Sequence, residues 1–531
     1  MSFLHPSAAL RACRLRPVSI AIAVCLLISP LASAATPEEE SNSESETRTL
    51  DTAVVVGQHQ GYSVTGSSTA TGLDLSLRET PQTLSVVTRE LMDDFQLNSV
   101  NAVLNAVPNV RVEEVETDRT YFVARGFDIT NFQRDGLGLP MPYGLQNGDI
   151  DTAVYERIEV LFGANSLMSG TGNPSATVNF VRKRPTTELS GAVGVTIGSW
   201  SNLRLDADIS APLNDSESVR GRVVAAYQQG DSYLDRYSME KTVGYGIVEA
   251  DLSDRTTLAV GVSYQKNTPE GVMWGALPLF YSDGSATDYD RSTSTSADWS
   301  YWNTENTQAF VELSHEFGND WRLVAAYNYE DVVQDSQLFY VYGTPDRTTG
   351  LGLYAYPSDY SGSYRSDFYD VYVTGAFTLG GRSHELVFGG NWADAANAEI
   401  SWYGNDVGTP IADLGSWTGE YPKPSFDSYS SYSDFEYRRG SAYATVRWNL
   451  RDNIKLITGA NYARVSTDGV SYGEAKDTET SKTTPFAGLT VDLDENYSAY
   501  ASYGEIFSEQ GQMDIDNQLV GPITGDSLEA G

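Results

Sequence analysis

The sequence predicts a mainly β protein, in which an N-terminal mixed α+β unit precedes a long run of antiparallel strands that cross a membrane as a β-barrel. Three observations carry this reading. Beyond Pro185 the chain repeatedly alternates apolar and polar residues with a period of two. The connections between these segments are short at one end and long at the other. Past residue 34, no segment reaches the about eighteen consecutive apolar residues that a membrane helix needs, so a bilayer can be crossed only by strands.

Residues 1–34 read as a secretory signal, with Arg11, Arg14 and Arg16, an apolar run from Val18 to Leu31, and the small-residue cleavage site Ala32-Ser33-Ala34. The mature chain is expected to begin near Ala35. Both cysteines, Cys13 and Cys25, lie inside the signal, so no thiol, disulfide or cysteine metal site is expected after cleavage. Val24 is too bulky for a lipoprotein cleavage box before Cys25. With 35 basic against 71 acidic residues the formal charge is −36, which argues against a nucleic-acid partner. An acidic chain with 33 tyrosines and 47 glycines suits an outer-membrane barrel, with its aromatic girdles and long polar loops. Composition alone fits a secreted acidic β protein equally well.

Residues 35–50 are acidic, Ser-rich and free of aromatics, and cannot bury enough apolar surface to fold. The β-prone run Asp51-Thr52-Ala53-Val54-Val55-Val56-Gly57 follows. Residues 79–88 predict a strand, and from Arg89 to Val107 the positions Leu91, Phe95, Val100, Val103, Leu104 and Val107 predict a helix ended by Pro108. Next come Ala124-Arg125-Gly126-Phe127 and Arg134-Asp135-Gly136. A strand carrying Ile158, Val160 and Phe162 leads through a Gly-rich turn to a second strand with Val178 and Phe180, which ends on Arg182, Lys183 and Arg184.

Beyond Pro185, Leu203, Leu205, Ala207 and Ile209 alternate with Arg204, Asp206, Asp208 and Ser210. Leu258, Val260, Val262 and Tyr264 alternate with Ala259, Gly261, Ser263 and Gln265. Trp321 to Tyr329 and Ala442 to Leu450 repeat the pattern. The second face carries charges and amides that no dry core would accept, so lipid on one side and a wet lumen on the other is the reading that fits. About fourteen strands are expected between Glu188 and Tyr503. Turns at Leu213 to Glu217 and Leu450 to Asn453 are short, whereas Asn267 to Thr304 and Ser401 to Tyr437 are expected as long external loops.

The segment from Tyr155 to Pro185, YERIEVLFGANSLMSGTGNPSATVNFVRKRP, resembles the plug domain of TonB-dependent outer-membrane siderophore receptors, whose pattern is close to YERIEVLKGPSSLLYGxGxPGGxVNxVTKRP. Phe162-Gly163-Ala164 and Pro174-Ser175-Ala176 depart from it. Residues 79–88 and the Ala124 to Phe127 run resemble further plug segments, and residues 51–57 look like the TonB box, which adds as a strand to an edge of TonB. The resemblance implies a plug over residues 61–185 and a transmembrane β-barrel from 186 to 531. Receptors of this class have 22 strands and a plugged lumen. The chain stops at Leu528-Glu529-Ala530-Gly531 and is expected to lack the last third of that barrel, which could then not close alone.

The function implied is TonB-dependent import of ferric siderophores of the hydroxamate, coprogen or pyoverdine branch, with ligand held by external loops and the plug apex. Iron arrives inside the chelate as substrate, so neither a cofactor nor a protein metal site is expected. Candidate ligand contacts are Arg125, Tyr143, Trp274, Tyr281, Trp299 and Trp302; rigid aromatic walls cover an organic chelate at low entropic cost. Arg125 and Arg157 are expected to pair with barrel carboxylates, Glu505 being one partner. TonB with its inner-membrane energising complex, the ferric siderophore and outer-membrane lipid are the expected partners of a monomer in the outer membrane of a Gram-negative cell, with its N-terminus in the periplasm. Only residues 35–50 precede the coupling peptide, so a signalling domain is not expected. A porin-like channel and a non-transporting surface receptor or adhesin are the competing readings. Catalysis is not expected: His59, His315 and His384 are dispersed, Gly170-Thr171-Gly172 lacks the βαβ setting of a phosphate loop, and no nucleophile elbow is present.

Overall fold

The structure is a computed structural model that describes residues 61–138, 141–164, 166–318, 320–512, 514–515 and 520–531. The signal segment, the lead and the run 51–57 lie outside the described residues. In the N-terminal unit the elements are β1 (Leu84–Thr88), α1 (Arg89–Asp94), α2 (Val100–Ala106), β2 (Val110–Glu114), β3 (Arg119–Ala124), β4 (Phe127–Asp128), β5 (Asn131–Arg134), β6 (Gln146–Asn147), β7 (Tyr155–Phe162), α3 (Ser166–Ser169) and β8 (Ala176–Arg182). One sheet runs β1-β7-β8-β5, with β5 parallel to β8; the other runs β2-β3-β4, with β6 on β3.

The single helix expected over 89–107 is two. Thr88 caps α1 by accepting from Leu91 N, and Ser99 caps α2 by accepting from Ala102 N. Between them Gln96 adopts φ 53°, which no α-helix tolerates. The apolar spacing survives the break, so Met92, Val100, Val103 and Leu104 are all buried against Ile158, Val160 and Phe180. Each such side chain contributes about 1.5–3 kcal/mol. Arg125 (φ 54°) and Gly126 (φ 84°) form the turn between β3 and β4 with both central residues left-handed, the geometry that matches strand twist in a two-residue hairpin.

The remaining strands are β9 (Ser190–Ile197), β10 (Leu203–Pro212), β11 (Val219–Asp231), β12 (Ser238–Ser253), β13 (Thr256–Asn267), β14 (Tyr301–Glu316), β15 (Arg322–Gly343), β16 (Leu353–Leu379), β17 (Arg382–Tyr403), β18 (Tyr429–Arg451), β19 (Ile454–Ser471), β20 (Glu474–Ala475), β21 (Thr478–Asp492), β22 (Ser498–Ser508) and β23 (Ile523–Ala530). Apart from β20, which adds only to β19, each pairs antiparallel with its neighbours, from β9 at one end to β23 at the other. This is the wall of a transmembrane β-barrel. Short turns such as 213–218, 380–381 and 452–453 mark one rim; connections 268–300, 344–352 and 404–428 mark the other. The expected loop from Ser401 to Tyr437 is shorter than anticipated, because β17 continues to Tyr403 and β18 starts at Tyr429. Strands β15 to β18 run for 22, 27, 22 and 23 residues. A tilted strand crosses a bilayer in about 9–11 residues, so these four project well beyond it on the long-loop side.

Alternation holds as predicted. Ile209, Val262 and Val371 are at least half exposed on the lipid face, while Arg204, Ser210 and Asp370 are buried on the lumen face. The N-terminal unit fills that lumen as a plug, and its apolar core continues onto Val224, Ala226, Val243, Tyr245 and Phe310 of the wall. Charge does the rest. Asp151 of the plug receives Arg204 (2.7 Å) and Lys241 (2.8 Å), and Lys241 also reaches Asp149 (2.7 Å). The basic cluster that closes β8 spreads over the wall: Lys183 meets Asp208, Arg184 meets Glu249 and Glu312, and Arg182 binds Asn328 and lies 4.2 Å from the Phe310 ring centroid. Arg134 pairs with Glu330, and Glu79 with Arg447 and Lys455.

The turn after β2 carries one unusual carboxyl. Burial, reinforced by Glu116 and Asp149, raises Asp118 to about 7, although Thr117 donates to it at 2.6 Å and Arg119 is close.

Two outcomes follow from these contacts. Lys241→Met leaves Asp149 without its cation and Asp151 with Arg204 alone, and should cost about 3–5 kcal/mol, read as a lowered melting temperature in detergent; adding Asp149→Asn should recover part of the loss, and a K241M melt identical to wild type would contradict the account. Asp118 in the folded state sits above the ordinary value of about 3.9, so its stabilising contribution is complete below about pH 4 and is lost as pH rises through about 7. Hydrogen-exchange protection of residues 115–119, corrected for intrinsic rates, should fall across that window and stay level in Asp118→Asn. A pH dependence unchanged in that variant would show another group at work.

Candidate functional site

Lumen-facing positions of the projecting hairpins are aromatic. By strand register, Tyr340 and Tyr342 of β15, Tyr354 and Tyr356 of β16, Tyr403 of β17 and Tyr429 of β18 share the face that lower down carries Asn328, Phe368 and Arg439. They form a continuous wall: Tyr403 stacks on Tyr429 at 4.4 Å, Tyr356 meets Tyr403 edge-on at 5.2 Å, and the Tyr356 and Tyr429 hydroxyls are 2.8 Å apart. Trp274, from the 268–300 connection, joins at 5.8 Å from Tyr340 and 5.9 Å from Tyr356.

The plug apex contributes Tyr143, held at φ 56° ahead of Gly144 at φ 70°. A bulky side chain in the left-handed region costs about 1–3 kcal/mol and persists only where its surroundings impose it. Here the phenol donates to Glu399 Oε2 (2.9 Å) and is 2.9 Å from Ser433 Oγ, while its ring meets Phe435 edge-on at 6.1 Å. Burial first, with Glu399 adding to it, holds the Tyr143 phenol above its usual range, so it remains a donor. Tyr472 donates to the same Glu399 oxygen at 3.1 Å.

Beside Tyr143 lies a cavity of about 410 Å³, lined by Thr130, Met141 and Asn173 of the plug and by Tyr364, Phe435 and Tyr437 of the wall, with Lys476 and Glu509 as its charged groups. That volume falls in the about 300–1,000 Å³ range of small-molecule sites. A deeper, more polar space of about 140 Å³ shares Met141 and Tyr364 with it and adds Arg134, Asn306, Glu330, Asn397 and Glu399. Among the described residues, no group of three or more His, Cys, Asp or Glu is placed to hold a metal ion. The arrangement suits an organic molecule with stacking surfaces and several polar groups.

The expected ligand residues separate in space. Tyr143 lines the cavity and Trp274 stands in the aromatic wall. Trp299 instead belongs to the packed interior of the loops, edge-on to Phe339 and Phe426 with its indole N–H on Tyr421 O (2.9 Å). Trp302 is 4% exposed beneath the Arg119 guanidinium and donates to Gln334. Tyr281 sits in a small turn, its N–H on Ser285 O, and lines neither space. Arg125 also lines neither; it pairs with Glu529 of β23 at 3.0 Å, a plug–wall contact.

The expected pairing of Arg157 with Glu505 is corrected. Arg157 binds Glu159 two residues along β7 at 2.7 Å, both nearly inaccessible. A Cβ at Gly504 would lie 3.7 Å from Ala164 of the plug, so that face of β22 fronts the plug and Glu505 turns away from it. There it takes Lys482 (3.1 Å) and Tyr503 (2.9 Å). Glu529, opposite Ser502, is on the plug face. Sequence reasoning also missed Tyr340, Tyr356, Tyr403, Tyr429 and Glu399. The signal was present in Tyr340-Val341-Tyr342 and Tyr354-Ala355-Tyr356, aromatics at alternate positions on either side of a turn.

Comparison with known proteins agrees with this anatomy. Residues 76–177 match the TonB-dependent Receptor Plug Domain, and residues 267–531 match the TonB dependent receptor-like, beta-barrel family. The ferripyoverdine receptor of Pseudomonas aeruginosa is 37% identical over 478 residues, 87% of this chain and 57% of that protein, so the chain spans little more than half of this curated relative's length. The solved structure of the pyoverdine outer membrane receptor FpvA from Pseudomonas aeruginosa PAO1 bound to pyoverdine superposes with a TM-score of 0.84 at 35% identity, covering 90% of this chain and 72% of that one. The alcaligin outer membrane receptor FauA from Bordetella pertussis gives 0.69 at 33% identity, covering 89% and 70%. A plug of this topology, seated in a wall of this register and matched to such an extent, means that the chain belongs to the TonB-dependent receptor family.

Proposed function

We propose that this chain acts in TonB-dependent import of a ferric siderophore of the pyoverdine type across an outer membrane. The observation that carries the reading is the aromatic wall from Trp274 to Tyr429, which lies farther along the strands whose Tyr364 and Phe435 line the plug-apex cavity. A rigid aromatic wall covers an organic chelate at low entropic cost, and iron stays coordinated by the chelate. The long-loop rim then faces the outside and the short-turn rim the periplasm, where residues 51–57 meet TonB. Burying charge pairs around the plug supports a gated route over an open pore: the lumen is filled, and solute passes only when those contacts are displaced. Energy from the inner membrane, delivered through TonB, is the input that displaces them.

Two measurements test this. Cells that lack their own pyoverdine receptor and express a closed-barrel receptor that contains residues 35–531 should accumulate radiolabelled iron from ferripyoverdine; Val55→Pro should stop accumulation and leave surface binding intact. Binding without accumulation in the unaltered chain would favour a non-transporting surface receptor. Tyr356→Ala or Tyr403→Ala should weaken ferripyoverdine binding about tenfold, the about 1.4 kcal/mol of one lost stacking ring, whereas Trp299→Phe, inside the loop core, should leave affinity near wild type. Equal affinity in all three would move the ligand away from the wall.

A further inference from the structure

The turn between β2 and β3 reaches from the plug into the 268–300 connection and grips the two residues on either side of Trp274. Met273 N donates to Thr117 Oγ1 at 3.2 Å, and Gly275 N donates to Glu116 Oε2 at 3.2 Å. The Glu116 side chain is fully buried, held in place by Arg119, whose Nε and second amino group reach its two oxygens at 2.5 and 2.8 Å. The same Arg119 guanidinium covers the ring of Trp302 at 5.4 Å. On its far side the gripped segment has no slack: Gly275 is at φ 84°, and a Cβ there would come within 2.4 Å of the Tyr340 ring. Trp274, between the two gripped residues, is half-buried and stands against Tyr340 and Tyr356.

We propose that Glu116 and Thr117 are positioning residues through which the plug sets the place of Trp274 in the aromatic wall and through which occupancy of that wall reaches the plug. The proposal rests on the wall being the ligand surface, as argued above. Its physical basis is that a buried N–H cannot leave its acceptor cheaply: an amide on a buried carboxylate is a charge-assisted bond, and removing the acceptor strands a donor away from water. A ligand that shifts the Trp274 backbone must therefore move residues 273–275 together with the plug turn, or break these bonds. Coupling between two sites is reciprocal, so the state of the plug turn biases Trp274 as strongly as Trp274 biases the turn. Among the plug–wall contacts described above, these two alone end at backbone amides that flank a wall aromatic.

The test uses the full chain in detergent, labelled with 5-fluorotryptophan, the Trp274 resonance being the one lost in Trp274→Phe. Thr117→Val and Glu116→Gln should each shift or broaden that resonance, Thr117→Ser, which keeps the hydroxyl, should preserve it, and Ser216→Ala in a short turn should leave it alone. An unchanged Trp274 resonance in both T117V and E116Q overturns the proposal, and this readout needs no ligand. With ferripyoverdine as probe, hydrogen exchange of residues 115–119 should change on binding to the unaltered chain, and affinity should fall about fivefold in T117V and stay at the wild-type value in T117S. Ferripyoverdine that binds the unaltered chain without altering exchange there also overturns it. Failure of ferripyoverdine to bind at all would count against the functional reading, while the fluorine result would still decide the grip on Trp274.

Discussion

The structure depends on neutralising charge inside a barrel wall. A strand that faces lipid on one side and a lumen on the other leaves a row of Arg, Lys, Asp and Glu pointing inward, and a solid plug would strip those groups of water at a cost of several kcal/mol each. The plug is tolerated because it carries the opposite charges at the required heights. Asp149 and Asp151 meet Lys241 and Arg204; Lys183 and Arg184 meet Asp208, Glu249 and Glu312; Glu79 meets Arg447 and Lys455. Such pairs specify one seating of the plug more than they add stability, since a shifted plug would leave ions buried and unmatched. They are also the kind of contact that an applied pull can exchange for water, which an apolar seam of equal area would resist without any change of partner.

Above that charged zone the physics changes. Strands β15 to β18 outrun the bilayer, and their lumen face turns from charged to aromatic between Glu330 and Tyr340. The opposite face of the β15–β16 hairpin is covered by the loops: Phe339, Val341, Leu353 and Ala355 pack with Ala297, Ile411 and Leu414. That hairpin is thereby buried on one side and presents rings on the other. Tyr143, forced into a left-handed backbone and tied to Glu399 and Ser433, brings the plug to the foot of this wall.

Much of the fold was legible in the residues themselves. Alternation over Leu203 to Ser210 and Ala442 to Leu450 assigns each side chain to lipid or lumen without reference to any other strand, because the period is a property of the backbone. The break between α1 and α2 is not visible in the apolar spacing, which continues through Gln96; it shows only in the left-handed backbone there and in Ser99 capping α2. The site was less legible. Trp299 and Trp302 look like ligand aromatics in a loop rich in them, but one fills the loop interior and the other lies under Arg119, and burial of that kind is invisible until the loop is folded.

The sequence by itself determined the class of the protein: a plug motif ending in Arg182-Lys183-Arg184, and strands with one wet and one oily face. Those features are local, each set by a few neighbouring residues and the geometry of one strand. Tertiary structure alone decided which charges meet and which aromatics share a surface. Arg157 joined Glu159 and Arg125 joined Glu529, 404 residues away, because the turn of β22 sends Glu505 off the plug face and the opposing register puts Glu529 on it. Partnership between distant groups depends on strand register and on the height of the plug in the lumen, and both are settled only when every buried charge has found its counterpart.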